Sequence, residues 1–574
     1  MLRSLLVTTI IGIFALVPLN STAQESQAAQ QTLLPEIDPQ DIEIRSQFQA
    51  RFPGLRRQPI LGFNPRPRVF QINPNRTPFI EDEETVISSL PVGGLDRPDA
   101  PEFTPLTYAD AKNGFVRAGV GSYISPELDA FAITKLGSKS WVSANINHFS
   151  TDGHLENLTS SSRDFIGDIS LYSVLSGRAR LNVDLGVESA FNYFPGLVLE
   201  NGGPVDAITK AKRLGLLGGA RLEISQTPIS GFEISLDGYS SGFDLNSEFQ
   251  DIEGTATEWG VNSKAEYSRL GKNIQEVHRV RFTNSTGSTD LIGLTGQSWS
   301  VSNLSAHYER LFDYQTDVKA ELGVSGVTDA LNDFRLYVSP RFSFAHTLIP
   351  GLDLRLRLMG KPTHTTYREL QLENPFLDLT VPLQHQYEWR GSAEIETEPF
   401  RGTKLMAGAS FQNIKNFIYY TRNANQITGT NFTEGYYRPE YDRANIFKVY
   451  GGFTQDLTPS VLWVKADGYW QIPRISGNQK IPFIESYGIK SSVSYRPFKQ
   501  LILEGWGEFI GGREDSFGNS LSSFILLGSR FEISLSSKMG VYGKLINLTG
   551  EEFELWQGYP ERGFQGFVGV TYLF

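Results

Sequence analysis

The sequence predicts an all-β fold: a transmembrane antiparallel β-barrel of about 22 strands behind a proline-rich extended N-terminal arm. Three observations predict it. Apolar and polar residues alternate with a period of two along residues 107–574, with no helical segment between strands. The composition, 38 Phe, 23 Tyr and 55 Gly against 4 Met in 574 residues, suits strands and tight turns and not helical bundles. The N-terminus carries an export address, so an apolar barrel exterior has a lipid solvent to meet. The mean hydropathy of -0.24 excludes a polytopic helical membrane protein. The absence of cysteine excludes disulfides and thiolate metal sites. A net charge of -11 argues against nucleic-acid binding, which needs a basic surface.

Residues 1–23 read as a signal peptide. Arg3 supplies the positive start, Leu5 to Leu19 the apolar stretch, and Ser21-Thr22-Ala23 the small residues of a cleavage site.

Residues 24–106 read as a periplasmic arm, largely irregular. Residues 24–105 hold 12 of the 29 prolines, and proline denies the backbone a regular ladder. The arm's charge comes in blocks: five acids over Gln24–Ile44, seven arginines and no acid over Arg45–Arg76, four acids over Glu81–Glu84. The arginines are Arg45, Arg51, Arg56, Arg57, Arg66, Arg68 and Arg76. Arginine makes bidentate contacts with carboxylate and phosphate, so this stretch reads either as a solvated linker or as a docking or lumen-occupying arm.

Residues 107–574 read as the barrel. In Arg178–Val187 the apolar Ala179, Leu181, Val183, Leu185 and Val187 interleave with Arg178, Arg180, Asn182 and Asp184. Four leucines of Leu352–Leu358 alternate with Asp353, Arg355 and Arg357. A charge at every second position keeps one strand face wet. Hairpins are expected at 164–175 with 177–188, 315–328 with 332–348, and 500–513 with 519–536, with a tight turn at Ile349-Pro350-Gly351. Long outer loops are expected at 150–163, 197–207, 244–253, 363–383, 421–440 and 473–483. Trp141, Trp389, Tyr419, Tyr420, Trp463 and Trp470 are expected to form an aromatic girdle at the lipid interface.

The chain ends with Val568, Val570, Tyr572 and Phe574 on one strand face. This resembles the terminal strand of bacterial outer-membrane barrels, which the barrel-assembly machinery recognises. Ile546-Asn547-Leu548, then Trp556-Gln557-Gly558-Tyr559-Pro560-Glu561-Arg562-Gly563, resembles the penultimate hairpin of TonB-dependent receptors. Glu373-Asn374-Pro375-Phe376-Leu377, Tyr387-Glu388 and Phe411–Ile418 are a second echo of that family. Glu84-Thr85-Val86-Ile87 resembles a TonB box, a peptide that pairs with TonB by strand addition. The family carries a plug domain before its barrel; residues 24–106 lack its glycine-arginine motifs, so the chain reads as a barrel without that plug.

The seven histidines show no metal-ligand spacing on a strand, and His148 and His154 flank Asp152 in a solvated loop. Asp244, Asn246, Glu248, Asp251 and Glu253 lack the spacing of a calcium loop. No catalytic residue, metal or cofactor is expected, and no enzyme activity. The resemblance implies an outer-membrane barrel of a Gram-negative-type bacterium, taking part in solute uptake or reception. The alternative is a non-transporting anchor or subunit of an envelope complex, held through the arm. The partners implied are the lipid bilayer, the barrel-assembly machinery, TonB or another periplasmic protein, and an unknown solute.

Overall fold

The computed structural model describes residues 113–574 except 155–159, 195–197, 200–208, 228, 248–251, 273–274, 314, 423–431, 434–436 and 459–460. Within them, 22 strands form one sheet, every pair antiparallel. The first strand, Gly114–Gly121, pairs with the last, Gln565–Leu573, from Phe115 opposite Leu573 to Gly121 opposite Phe567. The sheet is therefore closed, and no strand edge is left to pair with another chain or to sit unsatisfied in lipid.

The seam needs close approach. Gly119 lies opposite Gly569, and a Cβ on either would meet the Tyr542 ring or hydroxyl within 2.5 Å. Tyr542 fills the space these glycines leave, and its hydroxyl donates to Glu127 at 2.6 Å.

Strand parity sorts the two faces. The outward face carries the apolar residues: Leu185 is 63 % exposed, Leu216 61 %, Leu322 62 % and Leu336 66 %. Leucines this bare, on strand after strand, make an apolar band that lipid covers. The inward face carries charge, paired from strand to strand. Lys264 bridges Glu233 at 3.1 Å, Arg281 meets Glu266 at 2.6 Å, and Lys319 meets Glu309 at 2.7 Å. Arg355 bridges Glu394 and Glu396 at 3.1 and 2.6 Å. Such cross-strand pairs keep a polar lumen wall, and Lys264 lies between Glu233 and Glu266, which face each other across the register.

The two ends differ. One end has tight turns, such as the one at Gly351, whose φ of +83° only glycine adopts freely. Leu573 donates its N–H to Lys538 at this end, so Phe574 and Asn113 lie there too. The strand ends that flank the six expected long loops lie at the other end; of the expected loop 244–253, residues 244–247 and 252–253 are strand, and parts of 150–163, 197–207 and 421–440 fall outside the described residues. The strands of the expected hairpins pair as read: Ser162–Ser176 with Ala179–Phe194, Thr316–Asp329 with Asn332–Ile349, and Leu501–Gly511 with Phe524–Ser534.

Two expectations are corrected. A short helix, α1 (Tyr367–Glu373), stands in the loop after the strand Leu352–His364. Trp389 and Trp470 are outward and exposed, as a girdle requires, but Trp463 and Tyr420 are buried at 9 % and 6 % exposure. Trp463 shares the lumen parity of Tyr469 and Gln471, and Tyr420 belongs to a core at the long-loop end.

Candidate functional site

At the long-loop end, residues 365–384 leave the wall, and their contacts reach strands far from the two they connect. Local sequence builds their first turn. Thr366 caps α1 by accepting from the Glu369 N–H at 3.2 Å, and the Glu369 carboxylate accepts from the Thr366 N–H at 2.9 Å. This reciprocal box satisfies two otherwise orphaned amides.

The Glu258 carboxylate, on the lumen face of the eighth strand of the ring (Ile252–Leu270) and 1 % exposed, satisfies two more. It accepts from the N–H of Tyr367 at 3.0 Å and of Arg368 at 2.9 Å, and from the Thr289 hydroxyl at 3.1 Å. A negative charge at a helix start faces the positive end of the peptide dipoles. Arg368 then reaches the fifth strand (Ala179–Phe194), where its guanidinium grips Glu188 with two bonds of 2.7 and 2.8 Å. Glu188 holds it above the usual guanidinium pKa.

The far end of the loop is fixed elsewhere. Asp378 donates its N–H to the Tyr437 carbonyl at 2.9 Å, and the Tyr437 N–H donates to Phe376 at 2.8 Å. Tyr437 opens the sixteenth strand (Tyr437–Thr458), eleven places from the fifth in a 22-strand ring and so halfway round it. The Phe376 and Tyr559 rings stack at 3.7 Å, and the Tyr437 hydroxyl donates to the Gln557 carbonyl at 2.8 Å. Ile292, in the turn between the ninth and tenth strands (Glu276–Leu291 and Leu294–Phe312), donates its N–H to Leu379 at 3.2 Å. Residues 365–384 therefore form a bridge across the mouth.

An apolar core holds the bridge. Tyr367, Leu370, Leu377, Leu379 and Leu383 pack with Phe243, Leu291, Ile418, Tyr420, Tyr437 and Tyr559, all buried. Each such side chain contributes about 1.5–3 kcal/mol when fully buried. A bulge at Asn416, φ +53°, turns the outer end of the strand Thr403–Arg422. Beyond it Ile418 and Tyr420 meet the bridge, while Phe417 and Tyr419 meet a second cluster of Ala444, Ile446, Ile475 and Ile481. Burial pushes the Glu373 carboxyl above its usual range, and the Tyr420 hydroxyl donates to it at 3.0 Å.

Val568, Val570, Tyr572 and Phe574 do lie together, each outward and 42–54 % exposed. Glu84, Thr85, Val86 and Ile87, the seven arm arginines and any plug sequence fall outside the described residues. The bridge residues Glu188, Glu258, Thr366, Arg368 and Tyr437 escaped sequence reading. The Thr-x-x-Glu of residues 366–369 was the one local signal. Among the described residues no cluster of His, Asp and Glu could hold a metal ion.

No protein-family model matches the chain, and no curated protein matches it. Solved structures do. The Escherichia coli K12 ferric-catecholate import receptor Fiu aligns with TM-score 0.60 and 9 % identity, over 81 % of this chain and 82 % of its own. The copper transporter OprC aligns at 0.62 and 12 %, over 80 % of both chains. The siderophore receptor PirA from Acinetobacter baumannii aligns at 0.62 and 10 %, over 82 % and 81 %. At such identities the likeness is one of fold: the chain has the 22-strand barrel of outer-membrane receptors.

Proposed function

We propose that the chain takes part in solute uptake or reception at a Gram-negative-type outer membrane, and that its own bridge, residues 365–384, sets access through the barrel mouth. The observation that carries this reading is the anchoring of one loop on strands halfway round the ring, by Arg368 on Glu188 and by Asp378 on Tyr437. A barrel serving only as an anchor has no need of a braced structure across its mouth. The solved barrels of the same fold are described as import receptors and a transporter, which supports the same class of role.

The segment Glu84–Ile87 would supply an energising contact by adding a strand to TonB. The arginines of residues 45–76 would dock on an acidic surface. Liposome swelling tests the uptake reading. Solute-selective flux through the full chain, rising when the bridge is excised, supports it. Silence from both forms, with a co-purifying envelope protein, supports the anchor instead.

A further inference from the structure

A cavity of about 480 Å³ lies beside the bridge, between α1, the outer end of Thr403–Arg422, and the loop segments around residues 481–485, 510–513 and 555–556. Its volume lies within the range of ordinary small-molecule sites. Five aromatic side chains line it: Phe417, Tyr419, Tyr420, Phe483 and Trp556. Among them stand Glu373, Gln386, Glu485 and Arg513. We infer that this cavity binds a neutral polyhydroxylated ring compound, a saccharide, and that saccharides are the class of solute the barrel receives. The second clause rests on the uptake reading; the first does not.

The charge inventory decides the class. Arg513 is the one cation on the cavity wall among the described residues, and it is 4 % exposed. Two of its nitrogens are spent on the carbonyls of Leu555 and Ser522, at 3.1 and 3.2 Å, and its guanidinium lies over the Phe524 ring. Its Nε is buried with no protein partner, and the group stands as a single cation rather than a cluster that would clamp an anion. Glu485 accepts from the Tyr469 hydroxyl at 2.7 Å and keeps further lone pairs. Burial disfavours the charged form of Glu373. Gln386 donates one amide hydrogen to Thr365 at 3.2 Å and keeps its carbonyl.

The wall thus offers separated acceptors and donors and a single cation, at near-balanced charge. An anionic iron chelate finds no basic cluster here, and a bare metal ion finds no donor cluster. A cationic ligand would meet Arg513. A pyranose ring presents C–H bonds on one face and hydroxyls round its edge. That pattern matches electron-rich aromatic faces ringed by a few hydrogen-bonding groups.

The test uses the full chain in detergent, titrated calorimetrically with maltotriose, cellotriose and chitotriose. Ferric tris(2,3-dihydroxybenzoate) serves as the anionic comparison. At least one saccharide is expected to bind saturably and the chelate not at all. Trp556→Ala and Glu485→Gln should each weaken saccharide binding about tenfold, with Trp556→Phe retaining most of it. Heat-modifiable gel mobility checks that each variant folds. Absence of saturable saccharide binding overturns the inference, as does binding that neither substitution changes. Swelling flux without saturable binding would strike out the ligand class and leave the uptake reading standing. Saturable binding without flux, in the full chain and with the bridge excised, would strike out uptake and leave the site.

Discussion

The turn end and the long-loop end of this barrel are held by different physics. Toward the turns, the inward face is a hydrogen-bonded wall of paired charges, Glu233 with Lys264 and Arg355 with Glu396. Among the described residues the clusters of buried apolar side chains lie at the other end. At the loop end the lumen side gains a buried aromatic and aliphatic core, capped helix ends and desolvated carboxylates. The first arrangement is stable because the sheet closes and lipid covers its outside. The second is stable in the way a water-soluble domain is, so loosening it is expected to leave the barrel closed. A movable element belongs at the end whose stability is local.

Substitutions that break one region should leave the other standing. The largest effect is expected at the seam and terminus. Deleting Phe574, whose carbonyl accepts from the N–H groups of Asn113 and Gly114 and whose ring is outward, should cut outer-membrane levels severely. Membrane fractionation with heat-modifiability on gels measures this. Normal levels would contradict an assembly role for the terminal strand.

Next comes the bridge latch. Glu258→Ala leaves the N–H groups of Tyr367 and Arg368 without their acceptor, at about 1–3 kcal/mol. Hydrogen exchange should speed up across residues 365–384 while the strands of the turn end stay protected. Uniform loosening of the whole barrel would refute the separation of the two regions. Tyr437→Phe removes one bond, to Gln557, and should cost about 1 kcal/mol with the same local signature.

The smallest effect concerns pH. His154 lies in a loop of the long-loop end, with Nε2 2.9 Å from the Pro560 carbonyl and Nδ1 buried without a partner. Burial lowers its pKa below the ordinary 6.5. The undocked loop therefore takes up the proton first. His154 contributes its stability above pH 6.5 and loses it as pH falls through the lowered value. The exchange protection factors around His154 and Pro560, taken against the intrinsic rate at each pH, should fall between pH 7.5 and 5.5, and His154→Gln should flatten that dependence.

The sequence made the turn end legible and the loop end only in outline. Period-two text such as Leu352–Leu358 shows which face meets lipid, because one strand suffices to read it. The bridge depends on partners that sequence spacing hides. Arg368 and Glu188 lie 180 residues apart, and a lumen-facing Glu258 looks like any polar residue of a wet strand face. Tyr420 near a strand end reads as a girdle tyrosine; only the Asn416 bulge and the returning loop turn it into core. The α1 helix is seven residues long, about two turns, too short to register as a period of 3.6.

The central claim is that residues 365–384 set access through the mouth. Single-channel conductance tests it most directly, comparing the full chain with a variant in which residues 367–383 are replaced by a short Gly-Ser linker. The linker rejoins the strands Leu352–His364 and His385–Phe400, which remain paired from Leu352 opposite Thr397 to His364 opposite His385. The account predicts a heat-modifiable barrel with conductance raised severalfold. Unchanged conductance in a properly folded variant would contradict it.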